Sequence, residues 1–296
     1  MRQKILILGS TGFIGTNLFN LLSKSDNYDI YTTFHIRKTP FHNVNHQYLD
    51  LFNLPTNTNI FDGFDTVIQC AAITGGIKDA SLRSCAYLTR NAIINSLIFE
   101  QLFESNVKHF IFLSCSVMYH DSIFPLREID FDADKIDSNY FGGAWNKIYF
   151  EKICEYFSRF NRIRFTVIRH SNCYGPWDNF DLSSGHAIAA NVVKIAKAAK
   201  NEVITIWGQG EEKRDFLFVE DLCQFLKLVI NNCPHKFEIY NIGSGQMISI
   251  NETVKLIIQI SGKKLETSHD LSQPSNPVSF CLDCTKAKND FNWVPK

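Results

Sequence analysis

Three glycines near the start of the chain are spaced for binding a cofactor that contains phosphate. They lie in Gly9-Ser10-Thr11-Gly12-Phe13-Ile14-Gly15, directly after a short apolar run and at the start of a helical pattern. Gly9 allows a tight turn, Gly12 lets the backbone approach a pyrophosphate, and Gly15 lets the helix pack closely on the strand. The helix N-terminus then offers N–H donors to the phosphates. This pattern predicts a dinucleotide site with contacts from Gly9, Thr11, Gly12, Phe13, Ile14 and Gly15.

The end of the second predicted strand indicates which dinucleotide binds. An acidic residue there would hold the ribose 2′-hydroxyl of NAD, but the position is occupied by Phe34. His35, Arg37 and Lys38 follow, and their charge favours a 2′-phosphate, so the sequence predicts NADP(H) over NAD(H). The alternative is that these residues form only a solvated basic loop. After the next strand, Asp50-Leu51 is placed to touch the adenine.

The amino-acid balance restricts the class of partner. The 296 residues are 45% hydrophobic and 20% charged, with a formal net charge of +0. This balance is typical of a globular protein and lacks the basic excess of proteins that bind nucleic-acid polymers or membrane surfaces. The apolar run after Arg2 and Lys4 is too short for a signal peptide or a membrane span. We therefore expect a cytoplasmic protein.

The nine cysteines do not predict a metal site. Their number is odd, their spacing is irregular, and most lie in apolar runs, where a reduced thiol behaves as a small hydrophobic group. Cys281-x-x-Cys284 could supply half of a zinc site, but no second pair in the sequence has metal-ligand spacing. We expect no metal.

Positioning these groups requires alternating strands and helices, which the first part of the chain provides. Short apolar runs rich in β-branched or aromatic residues predict strands at 4–8, 29–34, 66–70, 109–114 and 164–169, with helices at 13–24, 86–105 and 144–160. This alternation indicates an α/β fold with a Rossmann-like, doubly wound parallel sheet. Beyond Pro176 the pattern loosens, with helices predicted at 185–200, 219–231 and 250–261 and strands at 203–206 and 238–241. We interpret residues 1–176 as a dinucleotide-binding domain and 177–296 as a smaller substrate lobe packed against it.

Further segments form an ordered set of motifs along the chain. They are Ala71-Ala72-Ile73-Thr74-Gly75-Gly76-Ile77, Phe112-Leu113-Ser114-Cys115-Ser116-Val117-Met118-Tyr119, Asn172-Cys173-Tyr174-Gly175-Pro176-Trp177-Asp178-Asn179-Phe180, Trp207-Gly208-Gln209-Gly210, Lys213–Leu222 and Asn241-Ile242-Gly243-Ser244-Gly245. With the glycine loop, they resemble the extended short-chain dehydrogenases/reductases that modify nucleotide sugars. Within that family, the subgroup of GDP-4-keto-6-deoxymannose epimerase/reductases (GDP-fucose synthases) is the most similar. The resemblance also implies that Ala71 and Ala72 contact the cofactor.

The resemblance implies hydride exchange between a nicotinamide and a sugar carbon, with a proton moved at the same time. In the family a Tyr moves the proton, and a Lys four residues later lowers the pKa of the Tyr and holds the nicotinamide ribose. Lys147 matches that Lys, but Gly143 stands at the Tyr position. Tyr140 is seven residues before Lys147 and could reach the site only if Gly142 and Gly143 break the helix.

Two further family positions are altered. The Ser or Thr that hydrogen-bonds the sugar oxygen is replaced by Cys115, and Ser114 or Ser116 could serve if the strand end is shifted. The alternative is that Cys115 only packs against the sheet. Epimerases of the subgroup also use a Cys and a His to exchange protons beside the ketone. Val117 stands at that Cys position, whereas His186 matches the His.

The substrate contacts that the resemblance implies lie in the second half of the chain. The guanidinium of Arg214 suits a diphosphate, and an ion pair with Asp215 or Glu220 is the structural alternative. Asn172 matches a residue that contacts the diphosphate or the sugar, and Asn179 is expected to line the sugar pocket.

The leading hypothesis is an NADP(H)-dependent nucleotide-sugar oxidoreductase, either a 4-keto reductase or an epimerase/reductase that makes a deoxysugar for a surface polysaccharide. A nucleotide-sugar 4-epimerase with tightly bound NAD is the second reading. A catalytically degenerate, cofactor-binding regulatory protein is the third. The resemblance also implies a homodimer, in which helices 86–105 and 144–160 of two copies form a four-helix bundle.

Overall fold

A computed structural model describes residues 2–36, 41, 45–55, 59–74, 77–182, 185–273 and 278–296, with only the backbone described for residues 77–84 and 86. The strands in these ranges are β1 (Gln3–Leu8), β2 (Tyr28–Phe34), β3 (Asn45–Tyr48), β4 (Thr66–Gln69), β5 (His109–Leu113), β6 (Arg164–His170), β7 (Asn172–Tyr174), β8 (Val203–Trp207), β9 (Lys213–Arg214), β10 (Phe216–Phe218), β11 (Phe237–Ile242), β12 (Ile248–Ser249) and β13 (Glu266–Asp270). The helices are α1 (Phe13–Leu22), α2 (Ile77–Phe103), α3 (Phe141–Ser158), α4 (Ala187–Lys197), α5 (Val219–Asn231), α6 (Ile250–Ser261) and α7 (Thr285–Phe291).

Seven parallel strands form the central sheet, in the order β11-β6-β5-β4-β1-β2-β3. Strands covered on both faces need apolar side chains at successive positions, and β4 and β5 are buried along their whole length. Helices α1 and α5 pack on one face, and α2 and α3 pack on the other. The predicted Rossmann-like, doubly wound sheet is confirmed.

The chain returns to the central sheet after its first 176 residues. β11 pairs with β6 at the sheet edge, with Phe237 opposite Phe165 and Ile242 opposite His170. α5 packs beside α1 on the same face. The predicted division at residue 176 therefore does not coincide with the end of the sheet, because 219–231 and 237–242 belong to the dinucleotide-binding core rather than to the lobe.

The smaller lobe contains short strands and two helices. β8 pairs in parallel with β13, and α4 packs against α6. Ile195, Ile204, Ile206 and Val254 form the buried apolar cluster that joins these elements. β7 and β10 make a separate two-stranded pair, as do β9 and β12. Within the described residues, no helix combines the length and the apolar character that crossing a bilayer requires.

Candidate active site

The glycine loop between β1 and α1 has the tight geometry that the sequence predicts. Gly9 has φ +74°, and a Cβ at this position would lie 2.6 Å from the Cα of Ala71, so the loop and the end of β4 are in close contact. A Cβ on Gly15 would collide with the carbonyl oxygen of Gly9. Two of the three glycines are therefore required by backbone proximity alone.

The first turn of α1 forms a cradle for an anionic group. Gly12 is the N-cap and has no side chain with which to cap the helix. The buried Ser10 donates its Oγ hydrogen to the carbonyl of Thr33 at 3.0 Å, and Thr16 donates to the carbonyl of Ser10. These bonds hold the loop at the carboxyl ends of β1 and β2. Thr11, Gly12, Phe13 and Ile14 are only partly buried there, so the cradle fits a dinucleotide pyrophosphate.

The end of β2 holds the residues that bear on cofactor choice. The Phe34 ring stacks on the His46 ring with centroids 4.5 Å apart. His35 Nε2 lies 3.7 Å from the Asp50 carboxylate, and both side chains are partly exposed. Leu51 is buried beneath this edge. The predicted phosphate contacts Arg37 and Lys38 lie outside the described residues.

Lys147 brings a cationic group to the carboxyl edge of the sheet. Its Nζ donates to the carbonyl oxygen of Leu113 at 2.7 Å and lies 4.9 Å from the centre of the Phe112 ring. Burial lowers the pKa of Lys147, while Cys115 and Glu151 act in the opposite direction. The Cys115 thiol beside it is held in its neutral form, because burial raises its pKa more than the lysine lowers it.

The helix that carries Lys147 is continuous through its two glycines. Tyr140 is the N-cap of α3, and Gly142 and Gly143 lie in the first helical turn. The helix break that would have brought Tyr140 back toward Lys147 is therefore not present. A Cβ at Gly143 would have no heavy atom within 4 Å, which leaves open space one turn before Lys147.

Ser114 and Ser116 are both buried at the end of β5. The Ser114 hydroxyl donates to Glu151 Oε1 at 2.5 Å, and Glu151 is paired with Arg169 at 2.6 Å. Arg169 also donates to the Tyr119 hydroxyl at 2.9 Å. Ser114 is thus part of a buried polar network that joins β5, α3 and β6, and the hydrogen of its hydroxyl is donated to Glu151.

His170 is a candidate for the site that the sequence did not predict. It ends β6, and its Nδ1 lies 2.9 Å from the carbonyl oxygen of Ser171 and 3.6 Å from Cys173 Sγ. The pKa of His170 is lowered to about 4, mainly by burial and in smaller part by the charges of Lys147 and His186, while the hydrogen bond to the Ser171 carbonyl acts in the opposite direction. The sequence did offer one indication: His170 directly follows the predicted strand 164–169, and ligands bind at the carboxyl ends of such strands.

His186 lies in the smaller lobe, near enough to His170 for its charge to act on that ring. It is the N-cap of α4, and its Nδ1 lies 3.2 Å from Asp178 Oδ1. Asp178 is buried, whereas the His186 ring is about half exposed. A buried carboxylate that orients an accessible imidazole is suited to proton exchange.

The comparisons with known proteins agree with this geometry. Residues 5–243 match the model of the NAD dependent epimerase/dehydratase family. The chain belongs to that family. It is 30% identical to GDP-L-colitose synthase of Yersinia pseudotuberculosis and 30% identical to GDP-L-fucose synthase of Azorhizobium caulinodans, in each case over 99% of this chain, with 93% and 92% of the relative covered. UDP-glucose 4-epimerase of Thermotoga maritima has the same fold, with a TM-score of 0.86, 24% identity and coverage of 99% of this chain and 94% of the other.

Membership of the epimerase/dehydratase family confirms the resemblance inferred from the motifs, and with it an NAD(P)-dependent enzyme of the short-chain dehydrogenase/reductase type. Against the family pattern, Gly143 and Cys115 remain the departures at the proton-transfer positions. The structure places Cys115 beside Lys147, and it places His170 close enough to Lys147 and His186 for both charges to act on its imidazole.

The substrate residues that the resemblance implies lie on β7, in the segment after it, and on β9. Asn172 Nδ2 donates to the carbonyl of Asp215 at 3.1 Å, and Asn179 Oδ1 accepts from the amide of Asp181. Arg214 donates to the carbonyls of Lys213 and Val278. The Asp215 carboxylate accepts hydrogen bonds from the backbone amides of residues 244, 245 and 282, so it has a structural role of its own.

Proposed function

We propose that this protein is an NADP(H)-dependent reductase of a nucleoside-diphosphate 4-ketosugar that acts in deoxysugar biosynthesis. The observation that carries the proposal is Lys147, whose ammonium group donates to the Leu113 carbonyl at the carboxyl end of β5 and whose charge acts on the imidazole of His170. When bound, the nicotinamide supplies the hydride. Lys147 would hold the ribose, and His170 and His186 would face the sugar.

NADP(H) is proposed over NAD(H) because of the end of β2. An acidic side chain at position 34 would bind the ribose 2′-hydroxyl and repel a 2′-phosphate. Phe34 does neither, and its stacking on His46 gives this edge an apolar surface beside the His35 imidazole. Asp50 lies against His35, so the proposal depends on the cations that follow it in the chain as well.

A nucleoside diphosphate sugar is proposed as the substrate because of the polar side chains on β7, after β7 and on β9. Arg214 is only partly buried on β9, and its guanidinium suits a diphosphate. Asn172 is exposed at the start of β7, and Asn179 follows the buried Asp178. The curated relatives at 30% identity are named for GDP-sugars, which makes a GDP-linked 4-keto-6-deoxyhexose the first substrate to test.

One observation favours an additional epimerisation step. The His186–Asp178 pair provides an oriented imidazole that could exchange a proton at the carbon beside the ketone. Val117 stands where the family's second exchange group would be, so His186 would act alone or with solvent. Incubating the protein with a 4-ketosugar in deuterated water, with no NADPH present, should incorporate deuterium beside the ketone, and His186→Asn should abolish this exchange.

The direct test of the proposed reaction uses purified protein, NADPH and a panel of GDP-, dTDP- and UDP-linked 4-keto-6-deoxyhexoses. We expect oxidation of NADPH with at least one sugar, together with a product that is two hydrogens heavier. Mass spectrometry of the denatured supernatant should find no stoichiometric NAD, because tightly bound NAD would instead indicate a 4-epimerase. Saturable NADPH binding without turnover on any sugar would indicate a degenerate, regulatory protein.

We also propose a homodimer through α2 and α3. Phe141, Trp145 and Tyr149 follow one another at four-residue spacing on α3 and are all exposed, and Ile93 of α2 is 48% exposed. Residues four apart share a helix face, so these side chains form an apolar stripe. Sedimentation velocity should show a dimer that Tyr149→Glu dissociates. Val203→Glu, at an exposed apolar position on β8, should leave the dimer intact.

A further inference from the structure

Two histidines lie near each other: His170 at the end of β6 and His186 at the start of α4. The residue before His170 on β6, Arg169, points to the α3 side of the sheet, where it pairs with Glu151. Side chains alternate along a strand, so His170 points to the opposite face, where Cys173 lies 3.6 Å from its Nδ1. At the carboxyl end of β6 this places the imidazole near Lys147 and His186, whose charges both act on it.

We propose that His170 is the group that exchanges a proton with the sugar oxygen, and that it does so through Nε2. The inference rests on the proposed function and names a catalytic residue for it. Gly143 and the neutral thiol of Cys115 occupy the positions where proton transfer was expected from the sequence. At the carboxyl end of β6, His170 supplies an imidazole, a group that can accept a proton from an oxygen and return it.

The hydrogen bonds of the ring determine which nitrogen is available. Nδ1 donates to the carbonyl oxygen of Ser171 at 2.9 Å, which assigns its hydrogen to that nitrogen in the neutral ring. Within the described part of the chain, no protein group makes a hydrogen bond to Nε2. In that tautomer Nε2 carries a lone pair and can accept a proton from a hydroxyl group.

The surroundings of His170 favour its neutral imidazole over the imidazolium. Burial is the main cause that disfavours the imidazolium; Lys147 on α3 and His186 at the start of α4 add to it, and the Ser171 carbonyl opposes it. The thiol of Cys173 on β7 is held neutral by burial. The ring is therefore neutral in the resting protein and a strong acid whenever it is protonated. Such a group accepts a proton readily and returns it readily.

The step balances in both directions. In reduction, the carbonyl carbon gains the hydride, the carbonyl oxygen gains the proton from His170 Nε2, and the C=O bond becomes C–OH. His170 is left neutral and regains a proton from solvent. In oxidation of the alcohol, Nε2 removes the hydroxyl proton as the hydride leaves the carbon for the oxidised nicotinamide. Lys147 remains protonated throughout and holds the ribose.

The test uses two substitutions that differ in what they retain. His170→Asn places an amide donor near the position of Nδ1 and preserves the bond to Ser171, whereas His170→Gln places an amide nearer the position of Nε2 that cannot ionise. For the ketosugar that the wild-type protein reduces, both should lower kcat at least about a hundredfold, with KM and the Kd for NADPH changed less than threefold. His235→Asn, at a partly exposed histidine that pairs with Asp290, is the matched control and should retain full activity.

The pH profile and the ring itself provide independent readouts. In the wild type, kcat/KM for reduction should rise as pH falls from 8 to 5, as the imidazolium becomes populated, whereas kcat/KM for oxidation of the product should stay level over that range. With ¹⁵N-histidine labelling and no cofactor, the His170 Nε2 resonance, assigned by its loss in His170→Asn, should shift when the product nucleotide sugar binds. The nucleoside diphosphate alone should not shift it.

The activity of the wild-type protein tests the proposed function, and the His170 variants test the role of His170. A wild-type protein that reduces no ketosugar overturns the proposed function and this inference together. A wild type that turns over, with His170→Asn within threefold of it, overturns only the role of His170. The same holds if Tyr140→Phe abolishes turnover while His170→Asn retains it. An Nε2 resonance that no nucleotide sugar shifts also overturns the role of His170.

Discussion

The Nζ atom of Lys147 lies 2.7 Å from the carbonyl oxygen of Leu113, and this hydrogen bond joins α3 to the carboxyl end of β5. The acceptor is a strand carbonyl whose position is set by the sheet, so the ammonium group is positioned before a cofactor binds. Such preorganisation reduces the ordering that binding would otherwise require. The lysine can then use its remaining hydrogens for a ribose.

Replacing Lys147 with Ala should weaken NADPH binding about tenfold or more, because a hydrogen bond to a charged group contributes about 1.5–3 kcal/mol. Fluorescence titration with NADPH measures the Kd. Lys152→Ala is the control, since Lys152 lies on the same helix, is exposed and pairs with Glu155 at 2.8 Å. An unchanged Kd in Lys147→Ala would exclude the proposed contact with the ribose.

Replacing Phe34 with Asp should reverse the cofactor preference. The carboxylate would accept hydrogen bonds from an unphosphorylated ribose and repel a 2′-phosphate. We expect the ratio of kcat/KM for NADPH to that for NADH to fall at least about tenfold, which corresponds to about 1.4 kcal/mol. Phe34→Leu also loses the stacking on His46 but adds no charge, and it should keep the wild-type ratio. If both variants change the ratio equally, charge at this position does not select the cofactor.

Adding a methyl group at two glycines should change the free energy of unfolding in opposite directions. Gly15→Ala places a Cβ against the carbonyl oxygen of Gly9, so it should separate α1 from the loop, weaken NADPH binding and lower the free energy of unfolding. Gly143→Ala meets no atom within 4 Å in an exposed helical turn, and it should raise that free energy by about 0.5–1 kcal/mol. Urea unfolding measures both variants. A destabilised Gly143→Ala would contradict the continuous helix.

His109 should make the fold sensitive to acid. Its ring is buried with Nε2 2.9 Å from Thr166 Oγ1, and burial, with a smaller effect from Arg164, lowers its pKa to about 3. In the unfolded chain the pKa is about 6.5, so the unfolded state takes up the proton first as pH falls. The contribution of neutral His109 to stability is complete above about pH 6.5 and is lost progressively toward pH 3.

The measurement is the free energy of urea unfolding between pH 7.5 and 4.5 for the wild type and for His109→Gln, which cannot titrate. The wild-type curve should fall more steeply with acid, by at most about 1.4 kcal/mol per pH unit for one group. Parallel curves for the two proteins would show that His109 is not the group responsible. His170, with its pKa lowered to about 4, should contribute in the same direction.

Local features of this protein could be predicted from the sequence because the residues that make them are neighbours in the chain. The strand, the glycine turn and the helix of the cofactor cradle occupy residues 3–22 without interruption. The conformation of Gly9 and the close packing of Gly15 follow from that short segment. The central strands were equally readable, since burial on both faces requires unbroken apolar runs.

The membership of a strand in a sheet could not be predicted in the same way. Residues 238–241 read correctly as a strand, but their place beside β6 depends on pairing Phe237 with Phe165 across more than seventy residues. A strand's own pattern shows that it is buried and does not identify its neighbour. For that reason the sequence places α5 and β11 in the lobe, whereas in the structure they pack with the dinucleotide-binding core.

The sequence by itself determined that a dinucleotide-binding α/β fold forms and that Gly143 and Cys115 replace the expected proton-transfer residues. Only the tertiary structure decided what surrounds them. It kept α3 continuous past Gly143, engaged Ser114 with Glu151, and brought His170 near Lys147 and His186. The reason is physical, because burial, charge and hydrogen bonding at a site arise between side chains distant in sequence, and spacing along the chain does not report them.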